Sequence, residues 1–131
     1  MAEPLFLGLD EVLAIHADQI RRYGGCPGVR DMALLSSALA MPRATFGGTY
    51  LHGSPAEMAA AYLFHIAQNH PFADGNKRAA LASALAFLWL NDYRLEADDD
   101  ALTGLVYGIA EGRLGKPDAA VFLAAGLSRR R

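Results

Sequence analysis

Cysteine is almost absent from this 131-residue chain: Cys26 stands alone. One thiol can form no intrachain disulfide and no multi-cysteine metal site, and this usage fits a reducing cytoplasm. An excess of positive charge is also missing. With 12 Lys and Arg against 14 Asp and Glu the net charge is −2, so the basic stripe of a nucleic-acid binder is not expected, and no direct nucleic-acid contact with it. Long apolar runs are lacking too. The longest, Ala79 to Leu90, is well short of the ~20 residues that cross a bilayer, so no membrane association is expected. Met1-Ala2-Glu3-Pro4 has no basic start and no apolar core, so no signal peptide is expected. β-Branched residues are sparse and alanine is abundant, which favours helix over sheet. What remains is 53% hydrophobic and 20% charged, a globular balance in a length that suits one domain with a core of its own. Residues 1–131 read as a single domain, with 1–4 and 128–131 expected to be flexible.

The chemistry concentrates in His70-Pro71-Phe72-Ala73-Asp74-Gly75-Asn76-Lys77-Arg78, wedged between two apolar segments, Ala56–Ala67 and Ala79–Leu90. Such a polar cluster is costly to bury without partners, and a nucleotide phosphate is a suitable one. Pro71 crowds the residue before it, so a helix arriving from Ala56 is expected to stop near Asn69, with His70 extended or in a turn. Asp74 is a candidate N-cap for a helix starting near Gly75. The free N–H groups of Gly75, Asn76 and Lys77, at the positive end of that helix, suit an anion. The dipole is worth only ~0.3–1 kcal/mol, up to ~2 in a sheltered site, so Lys77 and Arg78 have to contribute. Gly75 leaves room for a phosphate to approach the backbone. Asp74 is a candidate ligand for Mg²⁺, which typically takes one or two carboxylates plus substrate oxygens. His70 is the natural general base for a hydroxyl. The plain alternative, a helix–helix connection with an Asp cap, explains the single residues but not the nine-residue combination.

These nine residues resemble the signature of the Fic/Doc family, and within it the Doc (death-on-curing) toxin branch. The general Fic pattern is His-Pro-Phe, one residue, Asp or Glu, Gly-Asn-Gly-Arg, two residues, Arg. This chain matches through Asn76, has Lys77 at the third glycine, keeps Arg78 and has Leu81 at the last Arg. Both departures recur together in the Doc branch. Gly28-Val29-Arg30-Asp31, Ser37-Ala38-Leu39-Ala40 and Ala44-Thr45-Phe46-Gly47-Gly48 are similar to Doc-type sequence, and the likeness spans most of residues 5–127. The resemblance implies an all-α fold: a compact bundle of about six helices around a buried central helix, with a short β-hairpin flap. It implies that His70 deprotonates a target hydroxyl, that Asp74 positions Mg²⁺, and that Gly75, Asn76, Lys77 and Arg78 hold the phosphates of ATP. Typical Fic enzymes transfer AMP, and the last Arg of their motif helps hold the terminal phosphates. Leu81 and Lys77 argue against that pose, and the Doc branch resembles a kinase that passes on the γ-phosphate to a Ser or Thr of a translation factor such as an elongation factor Tu-like protein. An AMP-transferring enzyme of the same fold is the nearest rival, and a catalytically silent binding module comes from another class.

The remaining chain reads as helices joined by short loops. Leu9–Tyr23 is the first, with Leu9, Val12, Leu13 and Ile20 on one face and His16 among them as a structural histidine. Asp31 caps the second, which runs to about Ala40 before Pro42; Arg30 beside it is expected to pair with a carboxylate. Between Arg43 and Gly53, two β-compatible runs flank Gly47-Gly48, a hairpin signal. In Fic-like proteins such a flap lies over the active site, which makes Thr45, Phe46, Gly47, Gly48 and Thr49 the target-binding residues; an open edge can pair with an extended target. His52 is expected on the flap surface. Ser54-Pro55-Ala56-Glu57 is a capping box opening a third helix to Asn69, in which His65 is packed and hydrogen-bonded. The fourth, Gly75 to about Leu90, is apolar nearly all round and is expected at the centre, with Trp89 at the core edge. Asn91-Asp92-Tyr93 reads as a turn, Arg94–Ala97 as a connector, Asp98-Asp99-Asp100 as the cap of a fifth helix to about Glu111, and Pro117 opens a sixth that fades near Gly126. Arg129-Arg130-Arg131 reads as a disordered tail.

Many Fic proteins carry their own inhibitory helix, with Ser or Thr, three residues, Glu, then Gly or Asn. Here Tyr107 stands four positions before Glu111-Gly112, so the pattern fails. Inhibition is therefore expected in trans, from a small antitoxin with a segment that folds on binding.

Overall fold

A computed structural model describes residues 3–130, so the flexibility expected of Met1, Ala2 and Arg131 lies outside the described residues. In order the elements are α1 (Leu9–Tyr23), α2 (Met32–Ala40), β1 (Thr45–Phe46), β2 (Thr49–Tyr50), α3 (Pro55–Asn69), α4 (Asn76–Leu90), β3 (Tyr93–Leu95), α5 (Asp99–Ala110), α6 (Lys116–Gly126) and β4 (Leu127–Arg129). The architecture is an all-α bundle with two small antiparallel pairs, β1–β2 and β3–β4.

The helix starts follow from side-chain capping. Asp31 accepts from the Leu34 N–H, Ser54 from the Glu57 N–H and Asp98 from the Ala101 N–H. Each satisfies an orphan donor of a first turn, worth typically ~1 kcal/mol. Ser54 Oγ also donates to Glu57, completing the capping box ahead of Pro55. The β1–β2 hairpin pairs Thr45 with Tyr50 and Phe46 with Thr49. Gly47 and Gly48 both sit at positive φ, as a two-residue hairpin turn of this type requires.

A buried central helix is present, but it is α3 rather than α4. Nine of the fifteen residues of α3 are buried, against seven of fifteen in α4. The reason is placement: α2, α4, α5 and α6 all pack around α3. Ala59, Ala60 and Ala61 let neighbours close in on α3 from every side, and Tyr62, Leu63 and Ile66 fill the space between them. Helix α4 packs one flank on α3 through Ala80, Ala84 and Phe87 and ends at the surface, with Trp89 56% exposed beneath the Arg130 guanidinium at 4.0 Å. The Tyr62 hydroxyl ties the N-terminal lead-in to this core, accepting from the Leu7 N–H at 2.8 Å and donating to the Leu7 carbonyl.

Four further expectations are corrected. The stretch from Tyr93 and the end of the chain form a ladder, Tyr93↔Arg129, Arg94↔Ser128 and Leu95↔Leu127, so residues 128–130 are not a loose tail. Each strand alone is too short to show a period, and only the pairing orders them. His52 is not a surface residue: it is 6% exposed, below the end of β2. It shares that position with His65, whose Nε2 accepts from Lys116 Nζ at 3.0 Å, so His65 is packed and bonded as expected. Among the described residues Arg30 pairs with no carboxylate, and Asp74 is not the N-cap of α4; both belong to the site described below.

Two outcomes test this packing. Tyr62→Phe leaves the buried Leu7 N–H without its acceptor and is expected to cost ~1–3 kcal/mol in denaturant unfolding. Burial, then the neighbouring Lys116 and His52, lower the His65 pKa from 6.5 to about 4. The unfolded imidazole then binds a proton that the folded one refuses. Stability is expected to fall as pH drops from about 6.5 toward about 4, and His65→Gln, which keeps an acceptor for Lys116, to flatten the slope in a pH series of unfolding midpoints.

Candidate active site

The corner between α3 and α4 is built by opposed helix ends. At the C-terminus of α3, Pro71 keeps His70 out of the right-handed helical region, but the residue turns left-handed (φ 53, ψ 51) instead of becoming extended. That conformation caps α3, with the His70 N–H donating to the Ile66 carbonyl at 3.2 Å. Histidine is among the residues that tolerate it, at a cost of order 1–3 kcal/mol that the surroundings must hold in place. Arg30 does much of that: Nε donates to the His70 carbonyl at 2.8 Å and Nη2 to the Asn69 carbonyl at 3.2 Å. A cation on the last carbonyls of a helix also offsets its negative end. The backbone around Arg30 grips the other strand of the corner, through Arg30 and Asp31 N–H to the Pro71 carbonyl, Ala73 N–H to Gly28, and a bridge of Val29 with Phe72.

Two buried side chains hold the loop from within. Asn76 accepts from the Phe72 N–H at 2.8 Å and donates to the Phe72 carbonyl at 3.0 Å, so its side-chain amide serves the loop. The His16 ring stacks on Phe72 at 3.8 Å and 4°, and its Nε2–H donates to the Asp74 carbonyl at 2.8 Å. A carbonyl can only accept, so this bond fixes the His16 tautomer. His16 is thus the structural histidine that its helical position suggests, although it acts on the site.

Helix α4 begins at Asn76, and its N-cap is Gly75 (φ 73). The Asp74 carboxylate lies outside the helix, with Oδ1 accepting from the Gly75 N–H at 2.8 Å and Oδ2 from the Cys26 N–H at 3.2 Å. Those N–H groups, Cys26 first, hold the Asp74 carboxyl below its usual range, with the Arg78 charge helping. Each oxygen keeps a lone pair, and the group is exposed. Glycine at 75 answers to its positive φ and to Ile20 and Arg78, which a β-carbon would meet at 3.1 and 3.3 Å. At Gly25 (φ +116), two residues past the end of α1, a β-carbon would come within 2.7 Å of Asp74 Oδ2, so the carboxylate keeps its place only with glycine there.

His70, Asp74, Gly75, Asn76, Lys77 and Arg78 all line one cavity of about 400 Å³, and its far wall is α5, through Thr103, Val106 and Tyr107. His70 is exposed at its edge, and among the described residues its ring makes no hydrogen bond to the protein. The N–H groups of Asn76, Lys77 and Arg78 lie in the first turn of α4 and have no intrahelical acceptor. Lys77 Nζ stands over the Tyr107 ring, 5.1 Å from its centroid. Arg78 is partly engaged, Nη1 donating to the Gly24 carbonyl at 3.0 Å and to Gln19 at 3.3 Å at the end of α1. Leu81 also faces the cavity. The flap residues Thr45, Phe46, Gly47, Gly48 and Thr49 do not line it; Phe46 is 84% exposed, and the hairpin leans on the body through Tyr50 against Phe6 at 5.7 Å.

A single available carboxylate fits a cation that draws its other ligands from substrate and water, as Mg²⁺ does, and does not fit an all-protein metal cage. Among the described residues no group of three His, Cys, Asp or Glu could hold a metal ion. Three features of the site do not show in the residue pattern: the α5 wall, Arg30 as a helix cap, and the place Gly25 leaves for Asp74. The first two act through folded proximity, whereas Gly24-Gly25 is visible as a helix stop but not as a partner of Asp74.

The chain is similar in sequence to known proteins. The Fic/DOC family profile matches residues 6–88. The "Toxin Doc" of Mycolicibacterium smegmatis is 45% identical over 78 residues, 60% of this chain and 60% of that protein. The "Protein kinase doc" of Escherichia phage P1 is 35% identical over 105 residues, 80% of this chain and 82% of the phage protein. The aligned part thus spans 60% of the length of the mycolicibacterial toxin and most of the phage kinase. The profile covers the whole corner from α1 through α4, and the phage protein aligns with four fifths of the chain; by both measures the chain belongs to the Fic/DOC family.

Proposed function

We propose that this protein is the toxin of a toxin–antitoxin pair, an ATP- and Mg²⁺-dependent kinase that phosphorylates a Ser or Thr hydroxyl of a translation factor, elongation factor Tu-like, in the bacterial cytoplasm. One observation carries the reading: an unengaged His70 ring shares a cavity with the open N-terminus of α4 and the Lys77 ammonium. A base and an anion site side by side suit transfer of a phosphoryl group to an alcohol, chemistry that is mostly positioning and charge neutralisation. The names of the two relatives, a toxin and a protein kinase, agree with it.

In this reading His70 takes the proton of the target hydroxyl as its oxygen attacks the γ-phosphorus. The bond from that phosphorus to the β–γ bridging oxygen breaks, and ADP leaves. The α4 N–H groups and Lys77 bind the phosphates, with Arg78 contributing the nitrogens it does not spend on α1. Asp74 would hold Mg²⁺, which supplies charge neutralisation on the phosphate oxygens. Leu81, apolar at the cavity wall, offers no second charge for terminal phosphates, which supports γ-phosphoryl transfer over AMP transfer. The exposed hairpin edge is the proposed dock for an extended target segment. Among the described residues no helix is long and apolar enough to cross a membrane. Control falls to a small antitoxin whose segment folds on binding, because Tyr107 occupies the place where an inhibitory Ser or Thr would stand.

The deciding experiment incubates the protein and a bacterial extract with ATP labelled at the α or the γ phosphate, followed by mass measurement of the modified residue. Label from the γ position is expected in one target; label from the α position in the target would replace the kinase with an AMP transferase. His70→Ala is expected to lose roughly 10²–10⁴-fold in labelling rate while keeping its fold. Unchanged labelling and toxicity in that variant would leave a silent binding module. Asp74→Asn is expected to abolish the Mg²⁺ dependence of labelling.

A further inference from the structure

The cavity has two chemically different halves, and the phosphate reading uses only one. Around Asn76, Lys77 and Arg78 it offers N–H groups and a cation. Beyond them it offers Leu81 one turn further along α4 and, from α5, Val106 and the Tyr107 ring, with the hydroxyls of Thr103 and of Tyr107 itself as the polar groups of that half. An inorganic phosphate chain gains nothing from this second half. A flat, weakly polar group does, because it buries apolar surface and stacks on the ring.

Lys77 links the halves. Its ammonium is parked over Tyr107 at 5.1 Å, a cation–π contact worth roughly 0.5–1 kcal/mol at an exposed site. Tyr107 is 48% exposed, so its ring is available once the ammonium leaves it. A triphosphate competes strongly for that ammonium, since a charge-assisted bond to phosphate outweighs a half-exposed cation–π contact.

The geometry points to Tyr107 as the platform on which the nucleoside base of the substrate stacks, with Lys77 moving from the ring to the phosphates as the nucleotide binds. The inference rests on the nucleotide reading above and adds its base subsite. It makes base and phosphate binding mutually supporting. Phosphates withdraw the lysine and uncover the ring, and a base on the ring keeps the lysine from returning. It also implies loose base discrimination, since stacking accepts any base and the polar side-chain groups beside it are two hydroxyls, of Thr103 and Tyr107, each able to donate or accept.

Calorimetric titration of the full chain with ATP and with inorganic triphosphate, in wild type, Tyr107→Ala and Tyr107→Phe, tests this. Wild type is expected to bind ATP more tightly than triphosphate. Tyr107→Ala is expected to weaken ATP about tenfold to a hundredfold, the range for losing one stacked base, and to leave triphosphate unweakened. Tyr107→Phe, which keeps the ring, is expected to bind ATP as wild type does. In labelling kinetics the alanine variant is expected to raise KM for ATP with kcat held. Equal affinity of wild type for ATP and triphosphate overturns the base platform while leaving the phosphate site standing. Equal weakening of both ligands in Tyr107→Ala, or loss in Tyr107→Phe matching that in alanine, also overturns it. Binding of neither ligand by wild type overturns the nucleotide reading itself.

Discussion

The site depends on an asymmetry of neutralisation at one corner. Two helices meet end to end there, α3 by its carbonyls and α4 by its amides. The carbonyl end is neutralised from inside the protein by Arg30 on Asn69 and His70. The amide end has no such partner: its cap is Gly75, which has no side chain to offer, and the nearby carboxylate of Asp74 is turned to the N–H groups of Gly75 and Cys26. One helix end is thus closed to ligands and the other left as a ready anion site. If Arg30 or Asn76 released the loop, the left-handed His70 would lose its reason to stay put, and base and anion site would drift apart together.

Much of this corner was legible as a motif, because its residues are contiguous and each has a strong local signature: proline for the break, glycine for the turn, basic residues beyond it. The capped helices and the hairpin were legible for the same reason, since capping boxes and Gly-Gly turns act within a few residues. What escaped was whatever acts at long range. Arg30 is forty positions from the carbonyl it caps, and His16 fifty-eight from the one it bonds. The wall of Thr103 and Tyr107 joins the site only because α5 folds beside α4. The centre was misplaced because all-round hydrophobicity marks α4, whereas α3 becomes central by being flanked by α2, α4, α5 and α6, a matter of topology that no single helix's pattern displays.

Asn76 shows how a motif residue can be read correctly in position and differently in role. Its place in the signature suggests phosphate binding, yet its side chain forms two bonds with the Phe72 backbone and is 4% exposed. Its backbone N–H still belongs to the open first turn. The side chain thus shapes the loop while the main chain remains free to face a ligand, a division of labour that no residue pattern displays.

The β3–β4 ladder has a practical corollary. Gly126 carries the chain from α6 into β4, and a β-carbon there would collide with the Glu96 carbonyl, while its own carbonyl accepts the Glu96 N–H. Residues 127–129 are therefore stitched to the exit of α4, and Arg130 covers Trp89. An affinity tag or fluorescent fusion joined directly behind this ladder would pull on that stitch, so a reporter placed there is better joined through a spacer.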